Sequence, residues 1–293
     1  MKNHNINFHW IFLVLSCLVV MTACQESSVI SPTATVVKTD IVESEPASTI
    51  TQTTAPVPSD TPIPTELPTK TPVEVPEGVE LVMMKSPEGI DLVGYLREPE
   101  IPLDQGLIVV LAHGHTSSHK EWESFEDLLI ENGIATMSFD FRGHGASSGS
   151  DVFSNIGVDV VTVVDSVREK GYERIICIGS SMGGTACLAG AVEAQIDGLV
   201  MLSSEWKIRY RLVSKADVQA LAIPKVVIFT EQDIWITGTE WSVEGYQETA
   251  ELLGDPKQIY VYPGTSHATG MFFDDFGNEV LTILLNFVKS IAK

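Results

Sequence analysis

The sequence predicts an α/β protein with a mostly parallel, doubly wound sheet over residues 78–293, and three observations carry that prediction. Short continuous apolar runs, among them Leu107 to Ala112 and Val226 to Phe229, suit strands buried on both faces. These runs alternate with longer polar or amphipathic stretches, the pattern of strand and crossover-helix units. Finally, Ile175 to Ile178 runs directly into Gly179-Ser180-Ser181-Met182-Gly183. There the glycines remove side chains that a sharp strand-to-helix reversal would bring into collision.

Taken in order, Val79 to Met84 and Ile90 to Leu96 flank Pro87-Glu88-Gly89 and read as an antiparallel edge pair. Leu107 to Ala112 is a central strand opening into His113-Gly114-His115-Thr116-Ser117-Ser118, and Glu121 to Asn132 reads as a helix closed by Gly133. Ile134 to Phe139 is the next strand, leading into Asp140-Phe141-Arg142-Gly143-His144-Gly145-Ala146-Ser147; Val152 to Lys170 is a helix and Arg174 to Ile178 the strand before Ser181. Beyond it come a small-residue helix from Thr185 to Ala194 and strands at Gly198 to Leu202, Lys225 to Thr230 and Gln258 to Tyr262. Ser242 to Leu253 fills a helix between the last two strands. Val280, Leu281, Leu284, Leu285, Val288 and Ile291 recur at helical spacing and give a closing helix with one apolar face.

In a sheet of this kind, reactive side chains collect at the carboxyl ends of the strands. A chain of this length contains the glycine and serine pattern around Ser181 by chance about one time in ten, so its surroundings decide its meaning. A serine hydroxyl needs a base to take its proton and an acid to orient that base. His267, just past the last strand in Gly264-Thr265-Ser266-His267, is the only histidine after Ser181. Three carboxylates compete for the acid: Asp233 and Glu231, both after the strand ending at Thr230, and Glu205 after the preceding strand. Asp233 is preferred because it lies far enough past its strand to reach back toward His267.

The ordered set His113-Gly114-His115, Asp140 to Ser147, Gly179 to Gly184, Thr230 to Asp233 and Gly264 to His267 resembles the α/β-hydrolase superfamily over almost all of residues 78–293. The resemblance implies Ser181 as nucleophile, Asp233 as acid and His267 as base, with backbone N–H groups of His115 and Met182 forming an oxyanion hole. It also implies no cofactor and no metal site, His113 being a structural turn residue and Arg142 and His144 serving to pin the loop after Asp140. Trp206, Ile234, Trp235, Met271 and Phe272 are candidates for lining an acyl pocket. Only about twenty residues, Glu205 to Pro224, stand where larger relatives insert a helical cap, so a shallow, open pocket is expected.

The first 77 residues have a different character. A polar start with Lys2 precedes an apolar run, Trp10 to Met21, too short to span a bilayer at about 20 residues per helix. Val20-Met21-Thr22-Ala23-Cys24 resembles a bacterial lipoprotein box, which implies a signal over 1–23 and a lipid anchor on Cys24. An ordinary secretory signal cut near Ala23 is the alternative. Residues 25–77 are rich in Ser, Thr and Pro with no aromatic residue, a composition that favours a disordered stalk. The domain is therefore expected outside the cytoplasm, held to the membrane by lipid or secreted. Cys177 and Cys187, the two cysteines of the domain, read as buried unpaired thiols.

The formal charge is −21 over 293 residues, and the stalk and the domain both carry an acidic excess, which disfavours nucleic-acid binding. The expected activity is cleavage of small or short-chain carboxylic esters through an acyl-enzyme. Peptidase, thioesterase and perhydrolase activities would use the same residues, and a non-catalytic surface binding protein on the same fold is the alternative of another class. The partner expected is a small ester, besides the membrane.

Overall fold

The computed structural model describes residues 75–150, 153–207, 212–233 and 243–292. The signal, Cys24, nearly all of the stalk, Ile234 and Trp235 lie outside them. Eight strands form one sheet: β1 (Val79–Lys85), β2 (Asp91–Arg97), β3 (Leu107–Ala112), β4 (Ala135–Asp140), β5 (Arg174–Ser180), β6 (Gly198–Leu202), β7 (Lys225–Thr230) and β8 (Lys257–Tyr262). Their spatial order is β1-β2-β4-β3-β5-β6-β7-β8. β1 and β2 are antiparallel, with Val79 opposite Arg97, and β2 is antiparallel to β4. Every pairing from β4 to β8 is parallel.

The strands alternate their side chains between two apolar layers. Ile108, Val110, Cys177, Leu199, Met201 and Val227 face the layer containing α2 (Ile156–Glu169), α3 (Met182–Ala194), α4 (Lys215–Ala220) and α5 (Val243–Leu252). Leu107, Val109, Leu111, Ile176, Ile178 and Val226 face the layer containing α1 (Glu123–Glu131) and α6 (Gly277–Ile291). With helices on both faces, β3 is wholly buried along its length, which is why it reads as an unbroken apolar run.

Three local expectations change. Residues 121–132 divide into a 3-10 turn, His119–Trp122, followed by α1. α3 starts at Met182 and not at Thr185, so Gly183 and Gly184 belong to its first turn despite their low helix propensity. α4 escaped the pattern because it is only six residues long, although its cap is readable: the Ser214 hydroxyl accepts from the Asp217 N–H at 3.1 Å.

The largest correction concerns the cysteines. Cys177 and Cys187 are not free thiols but a disulfide with Cα atoms 5.7 Å apart. Cys177 points from β5 toward the face on which α3 packs, and the reversal at Ser181 folds α3 back along that strand. Residues a few positions to either side of the turn thereby meet.

Candidate active site

Ser181 sits at the reversal between β5 and α3 with φ 52° and ψ −116°, a region that a residue with a side chain adopts only under strain. The surrounding structure enforces it. The Ser181 N–H donates to the Leu202 carbonyl at 2.8 Å, and the Ser181 carbonyl accepts from the Gly184 N–H at 3.1 Å. A Cβ on Gly183 would lie 2.0 Å from the Ala112 oxygen, and one on Gly179 would lie 2.3 Å from Gly183 backbone atoms. Both glycines are needed so that α3 can approach the ends of β3 and β5. Met182 is the first residue of α3, a position whose N–H has no intrahelical acceptor.

His267 and Asp233 follow β8 and β7, which are neighbours in the sheet. Their loops are joined by Gln232 N–H to the Gly264 carbonyl at 3.0 Å and by the Thr230 hydroxyl to the Ser266 carbonyl at 2.8 Å. The Ser203 hydroxyl accepts from the Ala268 N–H at 2.9 Å and fixes the other side of His267. Within this frame His267 Nδ1 lies 2.7 Å from Asp233 Oδ2. A carboxylate only accepts, so Nδ1 is the donor in this pair, and in the neutral ring that leaves Nε2 as the acceptor. Tyr246, wholly buried, directs its hydroxyl to the same Oδ2 at 3.4 Å. Burial, then the charges of Asp233 and Glu205, push that phenol far above its ordinary pKa, so it remains a donor.

Of the other carboxylates considered, Glu231 is exposed. Glu205 is buried against α5, where a Cβ on Gly245 would fall 2.2 Å from its Oε1. Among the pocket candidates, Trp206 and Met271 are 2% and 0% exposed and belong to the packed interior. Phe272 packs on Trp122 and Phe125, and its neighbour Phe273 is 83% exposed.

The turn after β3 brings His115 to the same end of the sheet. The His113 ring is buried, accepting from the Phe141 N–H through Nε2 at 3.1 Å and donating from Nδ1 to the Gly114 carbonyl at 2.6 Å. Burial, reinforced by the neighbouring His144, pushes its pKa down to about 4, against the opposing effect of the Gly114 carbonyl. His144 contacts the Arg142 carbonyl through Nδ1 at 3.1 Å and the His115 carbonyl through Nε2 at 2.5 Å. Arg142 in turn forks onto buried Asp159, with Nη2 to Oδ1 at 2.6 Å. The loop after Asp140 thus grips the His115 peptide.

Residues not singled out from sequence complete the arrangement. Glu121 accepts from the Gly114 N–H at 2.7 Å through Oε2, and from the hydroxyls of Ser180 and Thr269 through Oε1. Ser180 precedes Ser181 and Thr269 lies two residues past His267. One carboxylate therefore ties together the three segments that carry Ser181, His115 and His267.

The family described as "Hydrolase_4: Serine aminopeptidase, S33" matches residues 105–284. The chain belongs to this family. Its fold is that of α/β hydrolases. The esterase Pf2001 of Pyrococcus furiosus superposes with a TM-score of 0.60 at 20% identity, over 73% of this chain and 91% of that one. Est1E of Butyrivibrio proteoclasticus, solved with ferulic acid bound, gives 0.59 at 19% identity, over 72% and 98%. The protein YfhR of Escherichia coli O157:H7 is 22% identical over 240 residues, 73% of this hydrolase and 82% of YfhR. The 2,6-dihydropseudooxynicotine hydrolase of Paenarthrobacter nicotinovorans is 28% identical over 111 residues, 36% of this chain. That match spans only 29% of the enzyme's own length.

Proposed function

We propose that this hydrolase is an extracytoplasmic serine esterase that cleaves small or short-chain carboxylic esters through Ser181, His267 and Asp233. The observation that carries the reading is the 2.7 Å pairing of His267 Nδ1 with buried Asp233, at the same sheet end as the strained Ser181 turn. Ser181 Oγ attacks the ester carbonyl carbon while His267 Nε2 takes its proton. Negative charge then develops on the carbonyl oxygen, and the N–H groups of Met182 and His115 receive it. His267 passes the proton to the leaving alkoxide, which departs as an alcohol and leaves an acyl-Ser181 ester. Water, deprotonated by His267, attacks that ester, and the acid is released as Ser181 regains its proton. These steps need neither metal nor cofactor.

Esterases among the similar folds favour the ester bond, whereas the family's description as serine aminopeptidase favours amide cleavage as the second reading. The lipoprotein-type signal, Cys24 and the stalk place the domain on the outer side of a membrane in this reading. The Cys177–Cys187 disulfide supports that location, because such bonds persist in oxidising compartments. A panel of p-nitrophenyl esters of increasing acyl length, beside aminoacyl p-nitroanilides, tests the substrate class. Highest kcat/KM on acetate or butyrate supports the proposal; faster cleavage of the anilides overturns the ester reading in favour of a peptidase.

A further inference from the structure

Glu121 has a place in the site that no local pattern announces. It lies in the 3-10 turn His119–Trp122, which is clamped at both ends. The His119 N–H and ring Nδ1 both bond Asp140 Oδ1 at 2.9 Å, and the His119 ring stacks on Tyr95. Burial would raise the Asp140 carboxyl, but the hydrogen bonds from His119 and the Ala146 N–H outweigh it and hold the group below the ordinary aspartate range. At the other end Trp122 is wholly buried among Phe125 and Phe272. The turn offers a rigid platform, and the Glu121 carboxylate projects from it to three donors on three separate segments.

Those donors lie 7, 59 and 148 residues away along the chain. Each adjoins a group proposed above for the chemistry: Gly114 precedes His115, Ser180 precedes Ser181, and Thr269 follows His267 by two. A carboxylate accepts from all three donors at once, whereas an amide carries only one acceptor atom and would turn its NH₂ toward the others. Hydrogen bonds to an ionised acceptor are about twice as strong as neutral ones. We infer that Glu121 is a positioning residue, holding the oxyanion turn, the nucleophile and the base in a common register. The inference rests on the serine-hydrolase reading.

Glutamine at 121 would satisfy this cluster in part. The Gly114 N–H cannot reverse its polarity and would claim the amide oxygen, leaving the NH₂ to face two hydroxyls that must rotate to accept. Alanine satisfies none of the three. Misplacement of reacting groups by 1 Å can cost about 100-fold in rate. The expected order in kcat is therefore wild type, Glu121→Gln lower by about tenfold, and Glu121→Ala lower by about 100-fold.

The test uses the full chain and its Glu121→Gln, Glu121→Ala, Thr269→Val and Glu121→Ala/Thr269→Val variants. It follows kcat and KM on p-nitrophenyl acetate, the rate constant of fluorophosphonate labelling, and the thermal midpoint. Labelling rate and kcat should fall together with KM changed by less than about threefold, the sign of an interaction felt mainly in the transition state. Thr269→Val should slow the wild-type background and add nothing to Glu121→Ala. Variants that lose only thermal stability, with kcat and labelling rate intact, would overturn the inference. Should Glu121→Ala fail to fold, Glu121→Gln and Thr269→Val decide by the same two rates. A wild type that does not label at Ser181 would overturn the serine-hydrolase reading itself, and with it the role given to Glu121; normal labelling by wild type and variants alike overturns the role alone.

Discussion

Opening the Cys177–Cys187 disulfide should destabilise the domain by an amount set by the loop it closes. The bonded residues are 10 apart in sequence, and both side chains are wholly buried between β5 and α3. In the chain-entropy description, closing a loop of about 10 residues restricts the unfolded state by about 2.7 kcal/mol at 25 °C. Reductant has little access to the bond in the native domain and acts on the unfolded chain, so the loss appears in equilibrium unfolding. With a urea dependence of about 2–3 kcal/mol per molar, the midpoint should fall by about 1 M when a phosphine reductant is added. The Cys177→Ala/Cys187→Ala variant should show no such dependence on reductant, which separates the cross-link from any packing lost with the sulfur atoms. Coincident wild-type unfolding curves with and without reductant would refute the reasoning.

Replacing Asp233 by Asn turns the acceptor facing His267 Nδ1 into a potential donor and favours the wrong imidazole tautomer, so kcat should fall by about 10³–10⁴. Glu205→Gln, altered at a carboxylate packed on α5, should retain kcat within about tenfold under the same assay. The buried His113, with its pKa depressed from 6.5 to about 4, makes stability depend on pH. Above 6.5 both states are neutral; as pH falls toward 4 the unfolded chain takes up the proton first, and stability is lost. The full loss across that window is about 3 kcal/mol. Urea midpoints between pH 4 and 7 measure this slope, and His113→Gln should remove its share whatever its overall stability.

Much of the fold was legible because burial on both faces of a parallel strand leaves an unbroken apolar run, as in Leu107 to Ala112. The Ser181 turn was legible for a related reason: close backbone approach to β3 admits only glycine at 183, and glycine is visible in a sequence. The start of α3 was hidden by the same residues, since Gly183 and Gly184 weaken helix propensity while packing on Ser204 and the end of β3 requires them. The disulfide was hidden because pairing depends on how α3 lies against β5, which two isolated cysteines do not encode. The choice of acid could be narrowed but not made from spacing alone. Depth sets aside Glu231, which is exposed, but not Glu205, which is as buried as Asp233; the contact with His267 Nδ1 then singles out Asp233. Glu121 carried no signal at all, since two of its three partners come from distant parts of the chain and meet only at the carboxyl end of the folded sheet.

The most direct test of Ser181 as nucleophile is intact-protein mass spectrometry of the full chain after reaction with a fluorophosphonate, followed by peptide mapping. One phosphonyl adduct per chain, located on Ser181 and absent from Ser181→Ala, is the predicted result. An unlabelled wild type, or an adduct that persists in Ser181→Ala, would contradict it.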